Sequence, residues 1–321
     1  MEVFVKTDFE DLGEGDGGIS FETDPVKHRE VAKRMAPAFS MKNFKAKEAT
    51  LQYYIDLYID KMKEVGGSEK GAEKVQKRID RRGQTKHLDY FEHIVPADQP
   101  APTEKKQITH LEQIAGQLLV ASWEPVSNQF YSVIYHLLQN QASHQLLVKE
   151  IRDAFRSYDD ITPESVANLK FLHACLHETF RLHQNTADGL PRMSPGAVVD
   201  GTYIPRGVVC QSSYFAAARS SRYFADAVEY RPQRWLSTEH PAYETKYQND
   251  DPKAFLPFNQ GPRACPGSAI AGATTKLFLA KVLWSFDLVA TPDQNISFDK
   301  HFTFYSMWEK PEFWVRFIQV R

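Results

Sequence analysis

A ten-residue segment, FNQGPRACPG at 258–267, limits what this chain can fold into more than any other feature. It places Cys265 at the end of a glycine-rich loop, directly before a long predicted helix. Backbone amides without partners and the helix dipole favour an anion at such a position, and therefore a thiolate. Gly261 and Gly267 let the backbone approach a flat ligand, and Arg263 adds a cation for a carboxylate. The alternative interpretation is a structural cysteine at a loop–helix junction.

Length, composition and charge restrict the general class of the protein. The chain has 321 residues, of which 42% are hydrophobic and 25% charged, and its formal net charge is -2. It can bury a large core, and it has no long-range field that would attract nucleic acid. The three cysteines, Cys175, Cys210 and Cys265, show no paired spacing. We therefore expect no disulfide framework, and a reducing or cytosol-facing setting is favoured.

No targeting or membrane-spanning segment is evident in the sequence. The start, MEVFVKTDFEDLGEGDGG, lacks the basic residues and the apolar run of a signal peptide or anchor. No stretch approaches the roughly 18–20 apolar residues of a spanning helix. We expect a single domain over 1–321, mainly helical over 1–186, with a small sheet, a meander, the cysteine loop and a last long helix over 187–321.

Apolar residues at helical spacing predict helices through most of the first half of the chain. Asp24 and Pro25 provide an N-cap and a first-turn proline for the first of them. Pro125 lies in the middle of the longest predicted helix and predicts a kink, because proline removes a backbone hydrogen bond. The helices are predicted at 25–35, 45–64, 69–82, 109–138, 142–155, 166–183 and 268–286.

Short alternating segments punctuated by glycine and proline predict a small β region. Strands are expected at 197–199, 202–204 and 208–211, and the tail at 303–320 is expected to form a final hairpin. Prolines at 96, 100 and 102 indicate a connector.

The segment 258–267 resembles the haem-binding loop of the cytochrome P450 family, F-x-x-G-x-R-x-C-x-G, at every fixed position. The resemblance implies haem b as the cofactor and Cys265 as the axial ligand of its iron. It also implies that Arg263 binds a haem propionate and that Phe258 packs beside the sulfur. The implied fold is mainly α with a small β region, a cytochrome P450 fold that lacks the N-terminal part and the E–G helix region.

Two further segments resemble family motifs in the same order along the chain. Glu178 and Arg181 match the E-x-x-R motif and share one helix face. The segment RPQRW at 231–235 resembles P-E-R-F/W, with Gln233 in place of the usual glutamate. Taken alone, Glu178 and Arg181 would be an ordinary surface ion pair. The resemblance implies instead that Glu178, Arg181 and Arg234 form a structural lock behind the haem.

The longest predicted helix departs from the family at the position over the distal face of the haem. The family has A/G-G-x-D/E-T there, and its acid and threonine manage protons. Ala121 and Glu124 match this pattern. Ser122 replaces the glycine, and Pro125, which has no hydroxyl group, replaces the threonine. Either water takes over with Glu124 and Ser127, or ordinary monooxygenation is impaired.

The expected propionate ligands are also partly changed. Arg192, in the segment LPR, lies where many fungal members have a propionate-binding arginine. The usual arginine four residues after His28 is Ala32 in this chain. Lys33 or Arg34 could substitute for it with a different reach.

Four other side chains are expected to have ordinary roles or none in the site. His173 and His177 have a spacing that can bind a metal, but no third ligand is in sight, so a zinc site is not expected. Cys175 and Cys210 are expected to be buried.

Compared with the family, the chain is shortened in two places. The resemblance begins at about residue 15, and a second gap falls between about Gly66 and Glu73, where the family has its E, F and G helices. Those helices cover the substrate pocket, so their loss is expected to expose apolar surface and to open the haem to water. The remaining pocket candidates, Trp123, Phe304 and Met307, indicate only an apolar cavity.

The resemblance predicts a haem-thiolate monooxygenase that hydroxylates a lipophilic small molecule in a fungal secondary-metabolite pathway. Its electrons would come from NADPH through NADPH–cytochrome P450 reductase, and no nucleic-acid partner is expected. The alternative is a catalytically impaired, truncated haem-binding remnant. A haem-thiolate enzyme that rearranges a pre-oxidised substrate is a third option, since Pro125 matters less if dioxygen is not cleaved. The family resemblance favours the surface of the endoplasmic reticulum, and the lack of an anchor in this sequence leaves the cytoplasm as an alternative.

Overall fold

The structure is a computed structural model that describes residues 5–6, 18–20, 22–65, 104–305 and 307–321. The helix predicted over 69–82, the connector prolines and the second gap all lie outside these residues. The described part is mainly helical with small antiparallel sheets, as predicted. None of its helices is long and apolar enough to cross a membrane.

Nine α-helices form about half of the described part, and those that the sequence predicts lie close to their predicted bounds. They are α1 (Pro25–Met35), α2 (Met41–Val65), α3 (Lys105–Gln139), α4 (Gln141–Ala154), α5 (Pro163–Val166), α6 (Lys170–Leu182), α7 (Tyr214–Ala218), α8 (Ser268–Ser285) and α9 (Phe298–His301). The Asp24 side chain accepts a hydrogen bond from the Val26 N–H at 2.7 Å, which confirms the predicted N-cap of α1.

The helix predicted over 166–183 is confirmed over Lys170–Leu182, but its predicted start is wrong, because the separate short helix α5 ends at Val166. Thr162 and Ser165 cap the short helix α5 reciprocally, and the chain then breaks before α6. The carboxylate of Glu150, on α4, accepts the N–H groups of Phe171 and Leu172 at 2.8 Å each. This cap comes from a neighbouring helix, so local sequence patterns could not reveal it.

Helix α3 continues through Pro125 and does not end there. The proline removes the N–H that would bond to the carbonyl group of Ala121. The carbonyl oxygen of Pro125 itself accepts a hydrogen bond from Asn185 Nδ2 at 3.3 Å. A side chain from outside the helix therefore supports the turn that contains the proline.

The main hydrophobic core is built around α8 and β6, with contributions from α2, α3, α4 and α6. Between Leu277 and Ser285 every residue of α8 is buried. This stretch includes Lys281, whose ammonium lies 2.6 Å from Asp56 Oδ1 and over the ring of Tyr158. The pairing explains how an otherwise apolar helix can bury a lysine.

Nine short strands form antiparallel pairs in the described part. They are β1 (Val5–Lys6), β2 (Arg192–Met193), β3 (Ala197–Val199), β4 (Thr202–Ile204), β5 (Val209–Cys210), β6 (Phe286–Ala290), β7 (Thr303–Tyr305), β8 (Met307–Glu309) and β9 (Val315–Gln319). β3 pairs with β4, and β2 lies between β1 and β5.

The hairpin predicted over the whole tail is only partly right. β7 and β8 pair with each other, with Phe304 opposite Trp308. β9 instead pairs with β6, and Leu288 lies opposite Phe317. β9 pairs with β6 because one face of β6 is buried. Phe286 and Leu288 alternate with exposed residues and face the core.

Two buried histidines should make the protein sensitive to acid. His136 stacks on Tyr230 at 5.0 Å, and both ring nitrogens of His183 lack a hydrogen-bond partner among the described residues. Burial, then Arg219 and Arg181, lower the pKa of His136 to about 3, and burial lowers the pKa of His183 well below its usual range. Both imidazoles are therefore neutral in the folded protein at neutral pH.

We expect the free energy of unfolding to decrease as pH falls below about 6.5, the usual pKa of histidine in an unfolded chain. In that range the unfolded chain binds protons that the folded protein does not. Each histidine contributes a slope of up to about 1.4 kcal/mol per pH unit. Urea unfolding at pH 7, 6 and 5 measures it. His136→Phe, which retains a ring against Tyr230, should have a shallower slope, and an unchanged slope would contradict the prediction.

Candidate functional site

The loop before α8 holds Cys265 in a fixed position. The Cys265 N–H donates to the carbonyl oxygen of Phe258 at 2.8 Å, which closes the loop on itself. Gly261 has a φ of 71°, in the left-handed region that side chains disfavour. Gly267 precedes the first turn of α8, and a Cβ atom there would lie 3.8 Å from Cys265 Sγ. The structure thus places Cys265 at the beginning of α8, as predicted.

The prediction that this position by itself favours the thiolate is wrong. Burial of the sulfur raises the pKa of the Cys265 thiol above its usual value, although the residue counts as exposed. The Gly267 N–H lowers that pKa, as expected at the start of a helix, but this effect is the smaller one. A cation in front of the sulfur would favour the thiolate.

Phe258 connects the cysteine loop to α6. Its ring meets the ring of Phe180 edge-on, with centroids 5.2 Å apart, in a small cluster that also includes Phe224 and Phe255. The backbone of Phe258 accepts the hydrogen bond from Cys265, so the same residue anchors the loop by its ring and closes it by its carbonyl group.

Two arginines from separate segments lie near each other beside the cysteine loop. Arg263 belongs to the turn Gly261–Arg263, and Arg192 lies on β2. Burial and the positive charge of Arg192 lower the pKa of Arg263, while Glu22 opposes them. The NH1 atom of Arg263 is buried without a hydrogen-bond partner among the described residues. Two neighbouring positive charges, together with the N–H donors of Arg263 NH1, suit a ligand that carries carboxylate groups.

Glu178, Arg181 and Arg234 form the lock that the sequence motifs indicate. The carboxylate of Glu178 is fully buried and makes two hydrogen bonds of 2.8 Å with the Arg181 guanidinium. Arg234 Nε adds a third bond, 3.1 Å long, to the same carboxylate. Arg234 also pairs with Asp250. A buried carboxylate between two guanidinium groups satisfies the requirement that buried charges be paired.

Sequence reasoning missed several donors to this lock. Trp235 Nε1 donates to Glu178 Oε2 at 2.9 Å, and the Arg231 N–H donates to Oε1 at 2.8 Å. Arg181 reaches further, to the carbonyl groups of Ala218, Ala227 and Glu229 at 2.6, 2.5 and 3.0 Å. The tryptophan in RPQRW was a visible signal, because a buried indole N–H needs an acceptor. No sequence pattern indicates which backbone carbonyl groups accept the hydrogen bonds of Arg181.

The predicted distal residues lie on α3. Glu124 Oε1 is 2.8 Å from Lys310 Nζ, a partner that sequence reasoning missed. Ser127 Oγ donates to the backbone carbonyl of Glu124 at 3.0 Å, within its own helix, and not to the carboxylate. The structure therefore pairs Glu124 with a cation and leaves Ser127 in local helix bonding.

Two of the apolar pocket candidates, Trp123 and Phe304, differ in their surroundings. Trp123 is 50% exposed, next to the exposed residues Leu119 and Val120 on the middle of α3. Phe304 packs against Trp308, with ring centroids 5.1 Å apart. An open cavity of about 370 Å³ lies elsewhere, lined in part by His136 and Arg219, and contains none of the predicted site residues.

The remaining candidates have ordinary surroundings. The rings of His173 and His177 are 4.0 Å apart, and no group of three or more possible metal ligands occurs among the described residues. Cys175 is buried, as predicted. Cys210 is only half-buried, contrary to prediction, because it lies on β5 at the edge of a small sheet. Lys33 and Arg34 are exposed on α1.

The chain belongs to the cytochrome P450 family, whose model matches residues 29–315. Curated relatives include cytochrome P450 monooxygenase TwmD of Talaromyces wortmannii, which is 38% identical over 399 residues, covering 99% of this chain and 78% of the relative. Another is cytochrome P450 monooxygenase poxC of Penicillium oxalicum, 28% identical over 360 residues, covering 98% of this chain and 75% of the relative. Both relatives are fungal monooxygenases, and membership of the family makes this chain a haem-containing oxidoreductase.

A solved structure shows the same fold. The heme domain of cytochrome P450DA superimposes with a TM-score of 0.74 at 15% identity, covering 95% of this chain and 80% of that one. The alignment with TwmD runs over 399 positions, whereas this chain has 321 residues, so the relative has residues that this chain lacks. The cytochrome P450 fold predicted from the sequence is thereby confirmed, in a chain that spans 78% of the length of TwmD.

We expect Glu178→Gln to destabilise the folded protein by about 3–5 kcal/mol, because it leaves two buried guanidinium groups with too little negative charge. Urea unfolding followed by tryptophan fluorescence measures the change. Glu229→Gln is the matched control, since the pair that Glu229 forms with Arg231 is largely exposed and should contribute less than about 1 kcal/mol. Equal effects of the two variants would contradict a central role for the lock.

We expect Arg263→Gln to leave the stability of the haem-free protein unchanged or slightly increased, because it removes repulsion from Arg192. The same variant should lose haem faster, since a donor to a carboxylate is absent. Transfer of haem to excess apomyoglobin measures the loss, and Arg206→Gln, at an exposed arginine, is the control. An unchanged rate of transfer would show that Arg263 does not hold the cofactor.

Proposed function

We propose that this chain is a haem-thiolate monooxygenase that oxidises a lipophilic small molecule in a fungal secondary-metabolite pathway. The observation that carries the proposal is Cys265 itself, held beside a glycine in a closed loop at the beginning of α8. A cation in front of the sulfur would stabilise its thiolate, and haem iron is such a cation.

Other residues fit the haem at this position. The unused NH1 donor of Arg263 and the neighbouring charge of Arg192 suit the two propionates. Gly267 keeps the space beside the sulfur free of a side chain, Gly261 permits the left-handed turn of the loop, and Phe258 anchors that loop to α6. When bound, the haem supplies the activation of dioxygen for insertion into a C–H bond.

On the opposite side, α3 supplies the groups that would act on protons and substrate. Leu119, Val120 and Trp123 offer apolar surface to a lipophilic molecule. Glu124 follows them directly and can exchange protons with solvent as a carboxylate. We propose that electrons come from NADPH through NADPH–cytochrome P450 reductase, as in the family, and that the protein works at the surface of the endoplasmic reticulum or in the cytoplasm.

The second candidate function is a haem-binding remnant without monooxygenase activity. Pro125 is the observation that favours it, because the residue after Glu124 has no hydroxyl group to pass on a proton. The two candidates agree about haem binding and differ about turnover. Spectroscopy tests what they share, and oxidation of NADPH in the presence of a reductase separates them.

We expect the purified protein, reduced and treated with carbon monoxide, to show the red-shifted Soret band of a thiolate-ligated haem. Cys265→Ala should abolish this band, because it removes the sulfur ligand. Cys210→Ser is the matched control, since Cys210 is also partly exposed but lies on β5. A band that persists in Cys265→Ala would contradict the assignment of the ligand. Binding without NADPH-dependent product would favour the remnant.

A further inference from the structure

The segment that follows the hairpin of β7 and β8 is bonded to one face of α3. Glu124 and Tyr131 are seven residues apart on this helix, so they lie on the same face. Glu124 Oε1 pairs with Lys310 Nζ at 2.8 Å, and Tyr131 OH donates to the carbonyl oxygen of Pro311 at 2.8 Å. Lys310 and Pro311, which follow β8, are thus each bonded to α3. These two bonds fix the backbone position of Lys310.

A third bond on the same face holds the turn that contains the proline. Asn128, four residues after Glu124, donates to Asn185 Oδ1 at 2.6 Å. Asn185 in turn donates to the carbonyl oxygen of Pro125 at 3.3 Å. These bonds fix the backbone around Glu124 through side chains from outside the helix, but they place no hydroxyl group beside its carboxylate.

The ion pair of Lys310 and Glu124 is partly exposed to water. The side chain of Lys310 is 19% exposed and that of Glu124 is 27% exposed. Partial burial strengthens an ion pair relative to a surface pair, and the remaining exposure keeps the carboxylate in contact with solvent protons. Lys310 binds Oε1, and no hydrogen bond to Oε2 comes from the part of the chain that the structure describes.

We propose that Lys310 is the positioning residue for Glu124 as the proton carrier of the distal side. Its ammonium holds Oε1 and orients the carboxylate, so that Oε2 takes a proton from water and passes it on without a neighbouring hydroxyl group. Lys310 thereby compensates for Pro125. This role rests on the monooxygenase function proposed above, and it assigns a part in that function to a residue of the C-terminal segment.

The experiment compares Lys310→Met, Lys310→Arg, Glu124→Gln and Glu124→Gln/Lys310→Met in the full chain with a reductase. We expect Lys310→Met to lower kcat by at least about tenfold with KM little changed, because general acid–base groups contribute factors of this size or more. NADPH should then yield hydrogen peroxide more often than product. Lys310→Arg should retain most of the product yield, and the double variant should be no worse than Glu124→Gln. Lys300→Met, at an exposed lysine of α9, is the control.

A second readout does not depend on turnover. If the two side chains contact each other in solution, each single variant lowers Tm, and the double variant lowers it by less than the sum of the two. Additive shifts would show that the pair does not form and would overturn the proposal.

The outcomes separate this proposal from the proposed function. A wild-type protein that gives no product contradicts the monooxygenase function, and the role of Lys310 fails with it. Wild-type turnover with an unchanged product yield in Lys310→Met contradicts only the role of Lys310. A loss of yield that Lys310→Arg does not restore would also overturn it, because a second cation of similar length should hold the carboxylate.

Discussion

The buried carboxylate of Glu178 holds together α6 and the segments that pack against it. It is fully removed from water, and a buried charge is tolerable only when its partners satisfy it completely. Arg181 on the same helix and Arg234 some fifty residues later both bond to it, and Trp235 adds a third side chain. The requirement to satisfy one carboxylate therefore fixes the irregular segment after β5 against α6, where hydrophobic periodicity alone would specify little.

The position of the cysteine loop depends on the packing of Glu178 and its partners. Phe258 packs on Phe180, which belongs to the same helix as Glu178, and the other end of the loop enters α8. Because α8 is buried on all sides from Leu277 onward, its beginning cannot move independently of the core. Cys265 is thus held between two packed elements, and Arg263 lies in the loop that joins them.

The distal side is built differently. The middle of α3 exposes Leu119, Val120 and Trp123, and two of its polar residues, Glu124 and Tyr131, bond to the C-terminal segment. The pairing of Glu124 with Lys310 places an organised charged group next to these exposed apolar residues. The chain covers 78% of the length of its relative TwmD.

The sequence by itself determined the elements with strong local signals: the N-cap of α1, the length of α3 and α8, and the loop that presents Cys265. It also identified Glu178, Arg181 and Arg234 as partners, because family resemblance carries long-range pairing that local patterns do not. Only the tertiary structure decided the break before α6, the pairing of β9 with β6 and the partner of Glu124. Each of these depends on a group brought from a distant part of the chain, and neither helical periodicity nor capping rules contain that information. The pKa of the Cys265 thiol was likewise decided in three dimensions, since removal of water around the sulfur outweighs the helix terminus that the sequence made visible.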